Sequence, residues 1–227
     1  RLVSVFFAVL TIPLVYLIGK KMFRPAAGLL AAFFLTFSFL HVQYASVAFR
    51  DATFVFFIMT SFLFALRALE EGKGQDFAWT GFFGGLAFST KWSAPPILLW
   101  GPLVLFLRAG AEKKNFFSEM FKKRNFLFFL CFTAGFTLGT PFWILNFQKF
   151  ITQFIGGWHI FRPGGVGQIG RDSDFNWTAY LLYTLPEGMG WPLTVTSLSG
   201  LGALLFRPRP STILFLSFPV IYFVISG

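Results

Sequence analysis

The sequence predicts an all-α, polytopic membrane helical bundle. Three observations carry that prediction: an apolar composition, apolar runs of spanning length, and basic residues gathered in the intervals between the runs. Of 227 residues, 56% are hydrophobic and 12% charged, whereas a water-soluble domain carries about 25% charged residues. The chain therefore lacks the ionic surface that would keep it dispersed in water. Aromatics reach 21%, with 36 Phe against a single Cys. One thiol excludes a disulfide framework, a Cys-based zinc site and a cluster-bearing redox centre, and Cys131, inside an apolar run, reads as a small buried hydrophobe. The balance of 19 Lys+Arg over 9 Asp+Glu gives +10. In a soluble protein that would suggest nucleic acid, but here the cations separate apolar runs and read as a topology signal.

A spanning helix needs about 20 mainly apolar residues, because about 30 Å of hydrocarbon is crossed at 1.5 Å per residue. Residues 2–19 form the first span and close on Lys20, Lys21 and Arg24. Residues 25–45 form the second and 52–69 the third, which runs into the polar stretch ALEEGKGQD. Residues 78–107 are too long for one untilted span and are broken by Lys91, Pro95 and Pro96, so they predict two short helices forming a hairpin near STKWSAPP. Residues 126–146 cross again, 147–176 form the longest polar loop, NWTAYLLYTLPEGMGWP reads as an interfacial helix ended by Pro186 and Gly188, and 191–206 and 211–226 complete about eight membrane segments. Residues 1–227 thus read as a single transmembrane domain, with 147–190 its extracytoplasmic loop and interfacial helix. With an opening at Arg1 and an end at Gly227 inside an apolar stretch, the chain reads as an internal fragment, and no cleavable signal peptide is evident.

Thirteen of the 19 basic residues fall on one side of this arrangement, and the positive-inside rule assigns that side to the cytoplasm. Arg1, Arg50, Lys91, Lys149, Arg162 and Arg171 remain at or near the outer face, where cations are normally avoided and each needs a reason. Asp51, in AFRDATFVFF, reads either as a helix N-cap or as a carboxylate kept for catalysis or binding. Arg50 beside it would point elsewhere on a helix and could ligate an anion. Lys91 either snorkels to an interface or meets an anion in a wet cavity lined by a broken helix. Gly84 and Gly85 read as helix-packing residues. The outer loop sets His159, Arg162 and Arg171 among Gly164, Gly165, Gly167 and Gly170, a composition that can fold around a phosphate or sugar, or serve as a plain flexible connection. Asp172 and Asp174 read as turn residues, Asn176 matches a glycosylation acceptor, and Trp158, Trp177 and Trp191 suit an aromatic belt or sugar stacking.

In their order, RLVSVFFAVLTIPLVYLIGKKMF, FLHVQYASVAFRDATFVFF, GGLAFSTKWSAPP and GTPFWILNFQKFI with its following GGWH resemble the membrane glycosyltransferases of family 39, the dolichyl-phosphate-mannose-protein mannosyltransferase type of the GT-C fold. The resemblance implies transfer of a sugar from a polyprenyl-phosphate carrier to a protein or lipid acceptor on the extracytoplasmic face, in the plasma membrane of a prokaryote, without cofactor, metal or nucleic acid. It makes Asp51 the candidate catalytic carboxylate and Arg50, Lys91, His159 and Arg162 the candidate ligands of the lipid phosphate. Trp92 stands where the family's turn has a small residue, and Ile160 departs from the usual aromatic after the His. The family's principal carboxylate lies in an earlier outer loop, so the fragment alone is expected to be inactive. A secondary transporter or lipid flippase, using Asp51 and Lys91 as coupling residues, is the alternative from another class; a scaffold without chemistry leaves the outward cations unexplained.

Overall fold

The computed structural model describes residues 1–47, 49–91, 95–160, 180–206 and 208–226, the side chains of 157–160, 180, 225 and 226 excepted. All the described secondary structure is helical. Helix α1, Leu2–Met22, ends with Lys20 and Lys21 in its last turn, where cations complement the carbonyl end of the dipole. Helix α2, Pro25–Phe37, opens on a proline, whose missing N–H costs nothing there. It is followed by α3, Phe39–Ser46, at a bend of 55°. The expected single span over 25–45 is therefore broken. At the break Ser38 is extended, with its N–H bonded to the Leu35 carbonyl.

Helix α4, Asp51–Glu71, ends at Gly72, whose φ of 67° and N–H bond to the Ala68 carbonyl form a left-handed stop that glycine adopts without a Cβ penalty. The chain turns back as α5, Gly74–Thr90, antiparallel to α4. A 3₁₀ turn at Pro95–Leu99 leads into α6, Trp100–Glu112, and then come α7, Phe116–Met120, and α8, Lys123–Gly139. Past Thr140 and Pro141 lie α9, Phe142–Leu145, and α10, Phe147–Ile160. A π-helical turn at Tyr180–Thr184 continues into α11, Leu185–Met189, before α12, Trp191–Phe206, and α13, Pro210–Ser226.

The core lies where α4, α5, α6, α8 and α13 meet, built on Phe62, Leu66, Phe77, Ile97, Trp100, Leu105, Phe128 and Leu214. Polar side chains cross between helices inside it: the Ser61 hydroxyl donates to the Thr80 carbonyl at 2.7 Å, and the Trp100 indole N–H to Ser217 Oγ at 3.0 Å. The tightest seam joins α5 to α8, which run parallel. A Cβ added at Gly81 would lie 2.1 Å from the Phe128 carbonyl oxygen, at Gly85 2.1 Å from that of Phe132, and at Gly135 2.1 Å from that of Phe82. Between apolar helices in lipid, where burial from water supplies no drive, such backbone-to-backbone approach is what gives association its energy. Gly85 is thus a packing residue as expected, and Gly84 faces the side chain of Ile97.

The span count is corrected. Among the described residues two helices, α1 and α4, are long and apolar enough to cross a membrane, or up to four spans if α2–α3 and residues 181–206, bent by 116°, each count as one. This supports membrane association but not eight segments. At 17, 13 and 17 residues, α5, α6 and α8 fall short of a full crossing. Nor do residues 78–107 form the expected hairpin: the glycine face of α5 is spent on α8 and its other side on α4, with α6 a minor neighbour. Residues 147–160, expected as loop, are helical. Phe147, Phe150, Ile151, Phe154 and Ile155 follow the spacing of one helix face, and Phe150 packs on Phe136 with ring centroids 6.0 Å apart. Pro186 and Gly188 do not end the helix expected there, which runs through both to Met189 and stops at Gly190, φ 81°. Pro186 falls in the first turn of α11, where no N–H is needed.

Candidate functional site

Three polar links mark the antiparallel contact of α4 with α5. At one end the Arg67 guanidinium Nε stands 3.2 Å from Asp76 Oδ1; mid-way Ser61 meets Thr80; at the other end Lys91 Nζ donates to Asp51 Oδ1 at 2.6 Å. With 21 residues, α4 separates its two ends by about 30 Å.

The first end is cationic. Lys21 pairs with Glu70, and Lys73 with Glu71 at 2.5 Å. Arg108 reaches from α6 to the Leu69 and Glu70 carbonyls at 2.7 and 3.0 Å while holding Glu112 at 2.6 Å, and Arg124 reaches from α8 to the Gly72 carbonyl at 3.0 Å. These guanidinium groups satisfy carbonyls that the end of α4 leaves without helical partners. Glu119 is buried and bonded to Lys122, which holds its carboxyl below the ordinary value although burial acts the other way; Arg124 and Lys114 add to the lowering. Lys114, bonded to Glu112, lowers that carboxyl likewise. Asp76, which the sequence reading passed over, is fully buried with neither oxygen in a well-aligned hydrogen bond, so Arg67 offers charge compensation without good geometry. Its clue was a carboxylate two residues into an apolar helix.

The second end holds the sequence-predicted residues. Arg50, with helical dihedrals, occupies the N-cap position of α4 and makes no side-chain capping bond. Asp51 is the first helical residue, so its carboxylate is not the helix's N-cap; it is turned to Lys91 instead. Lys91 is the residue on which α5 stops: its backbone is extended, its N–H still donates to the Ala87 carbonyl, and its ammonium lies 5.9 Å from the centre of the Phe54 ring. The side chains of Asp51 and Lys91 stay 29% and 35% exposed, so the pair is reachable. Arg50 is exposed beside it, and its guanidinium has no ion-pair partner among the described residues. The structure thus brings Asp51 and Lys91 together across 40 residues of sequence. The His159 side chain and the whole of Arg162, like Arg171, Asp172, Asp174 and the Gly164–Gly170 stretch, lie outside the described residues.

An ammonium held by one carboxylate keeps two further N–H donors. Together with the Arg50 fork this is an arrangement suited to an anionic oxygen. A family model described as dolichyl-phosphate-mannose-protein mannosyltransferase matches residues 1–145, the stretch that contains Arg50, Asp51 and Lys91. The chain belongs to this family. No match was found among curated proteins or among solved structures. In this mannosyltransferase-family chain the matched stretch runs from α1 through α9, so it includes the α4–α5 pair, the glycine seam and most of the core.

Proposed function

We propose that the chain is the membrane part of a GT-C glycosyltransferase that moves a sugar from a polyprenyl-phosphate carrier to a hydroxyl of a protein or lipid acceptor on the extracytoplasmic face. The observation that carries this reading is the Lys91–Asp51 pair. It is an accessible cation–carboxylate couple at the far end of α4 from the cationic cluster. The positive-inside rule puts that cluster on the cytoplasmic side and hence the pair on the other.

In the reaction the acceptor oxygen attacks the anomeric carbon, the bond from that carbon to the phosphate oxygen breaks with inversion, and the hydroxyl proton passes to a carboxylate. Negative charge grows on the departing phosphate, and a preorganised cation beside it stabilises the transition state. Lys91 fills that role with Arg50 as its neighbour, while Asp51 orients the ammonium and supports the base. His159 and Arg162 are proposed as further phosphate ligands. An apolar groove of about 540 Å³ between α6 and α13, walled by Leu99, Phe106, Ile213 and Val220, suits a prenyl chain, each buried CH₂ of which is worth about 0.8 kcal/mol. Family membership favours transfer over transport.

The test uses the full-length protein in membranes with a labelled polyprenyl-phosphate sugar. Lys91→Ala is expected to slow transfer about 10²- to 10³-fold, the usual effect of losing one donor to developing charge, and Lys91→Arg to recover part of it. Unchanged turnover in both Lys91→Ala and Asp51→Ala would remove the pair from the active site.

A further inference from the structure

The segment between α6 and α8 inverts the usual relation of side chains to water. Phe117 and Phe121 are 69% and 87% exposed, whereas the one carboxylate of α7, Glu119, is buried. Lys113, Lys114, Lys122 and Lys123 flank the two rings, all exposed. Two of them are committed to carboxylates, Lys114 to Glu112 and Lys122 to Glu119. Residues 112–124 hold five basic residues against two acidic ones, so a positive excess remains.

The display is built rather than frayed. Lys113 adopts the left-handed conformation, φ 53°, that turns the chain out of α6. Asn115 caps α7 by accepting the Phe117 N–H at 2.9 Å, and Phe116 anchors the segment edge-on to Phe106 at 5.4 Å between centroids. Arg124 ties its far side to the Gly72 carbonyl. In water two large exposed rings are unfavourable. Among lipid headgroups rings enter the interface and lysines meet phosphate.

We propose that residues 113–124 form a docking surface for anionic lipid headgroups of the adjacent leaflet. The proposal rests on membrane association of the chain and not on the Lys91–Asp51 chemistry. Charge complementarity selects the occupant: four exposed lysines ring an apolar centre, and an anionic leaflet attracts each basic residue near its surface.

The test places a nitroxide at Ser118→Cys in a Cys131→Ser background of the full chain, in nanodiscs of phosphatidylcholine alone or mixed with phosphatidylglycerol. Power saturation with oxygen and a water-soluble nickel chelate reads the depth of the label. In the mixed bilayer at low salt the label is expected at headgroup depth, and in phosphatidylcholine or at high salt in water. Each Lys→Gln change among Lys113, Lys114, Lys122 and Lys123 is expected to lower the seated-to-free ratio about fivefold, and Phe121→Ala to reduce it without altering the salt dependence. A label equally water-accessible in both bilayers overturns the proposal, as does seating that ignores salt and the lysine changes. Seating alone lost in the Lys→Gln variants, with transfer activity kept, leaves the function assigned to Lys91 untouched.

Discussion

Replacing Gly85 by alanine puts the glycine seam to a direct test. The added Cβ would sit 2.1 Å from the Phe132 carbonyl oxygen and 2.6 Å from the Phe136 nitrogen, both backbone atoms that no rotamer change can move. Carbon and carbonyl oxygen approach to about 3.3 Å at closest, so α5 and α8 must part by about 1.2 Å. A gap of that order forfeits about half or more of each contact's attraction. Phe88, whose ring lies 5.9 and 5.2 Å from those of Phe132 and Phe136, loses its fit at the same time. Overpacking costs about 1–3 kcal/mol, and the length of the seam places Gly85→Ala near the upper end. The assay is equilibrium unfolding in mild detergent, with Gly110→Ala as control. Nothing lies within 4 Å of the Cβ that this control adds on α6, so it is expected to stabilise by about 0.5–1 kcal/mol. Equal stability of the two variants would refute the close-approach account.

At Gly72 an alanine meets both a left-handed φ of 67° and the Arg108 guanidinium carbon 2.7 Å from its Cβ. Gly72→Ala should cost about 1–3 kcal/mol through the displaced bonds to Leu69 and Glu70, less in an Arg108→Ala background, as a double-mutant unfolding cycle would show. Trp100→Phe removes the indole donor to Ser217 and is expected to cost about 1 kcal/mol, a loss that Ser217→Ala should share rather than add to. Glu119 has a folded-state pKa below its unfolded one, so its contribution is complete above the unfolded value of about 4.3 and is lost as pH falls through the folded value. Glu119→Gln should flatten that part of the unfolding profile measured from about pH 6 downward.

Where composition and local punctuation decide an element, it was legible. The lysines closing α1, the apolar length of α4 and the stop near Gly72 each follow from neighbouring residues. The break after Phe37 was not, because neither proline nor glycine marks it. Residues 147–160 were misread because polar Gln148, Lys149 and Gln153 obscured an apolar repeat at helical spacing. Asp51 and Lys91 were singled out as residues that needed a reason, but their pairing required knowing that α4 and α5 lie antiparallel and in register, which local spacing does not encode. Asp76 was missed for the same reason: its burial comes from neighbours distant in sequence. The hairpin expectation failed because a run's length and its breaks at Lys91, Pro95 and Pro96 record where the chain is interrupted, not which helix each half packs against.

Two helices in backbone contact leave no crevice wide enough for an acyl tail, so the α5–α8 flank is closed to lateral traffic. In the reaction proposed above, a carrier diffusing in the plane of the bilayer has to come to Lys91 round another side. The same glycines that draw the bundle together thereby give it a front and a back.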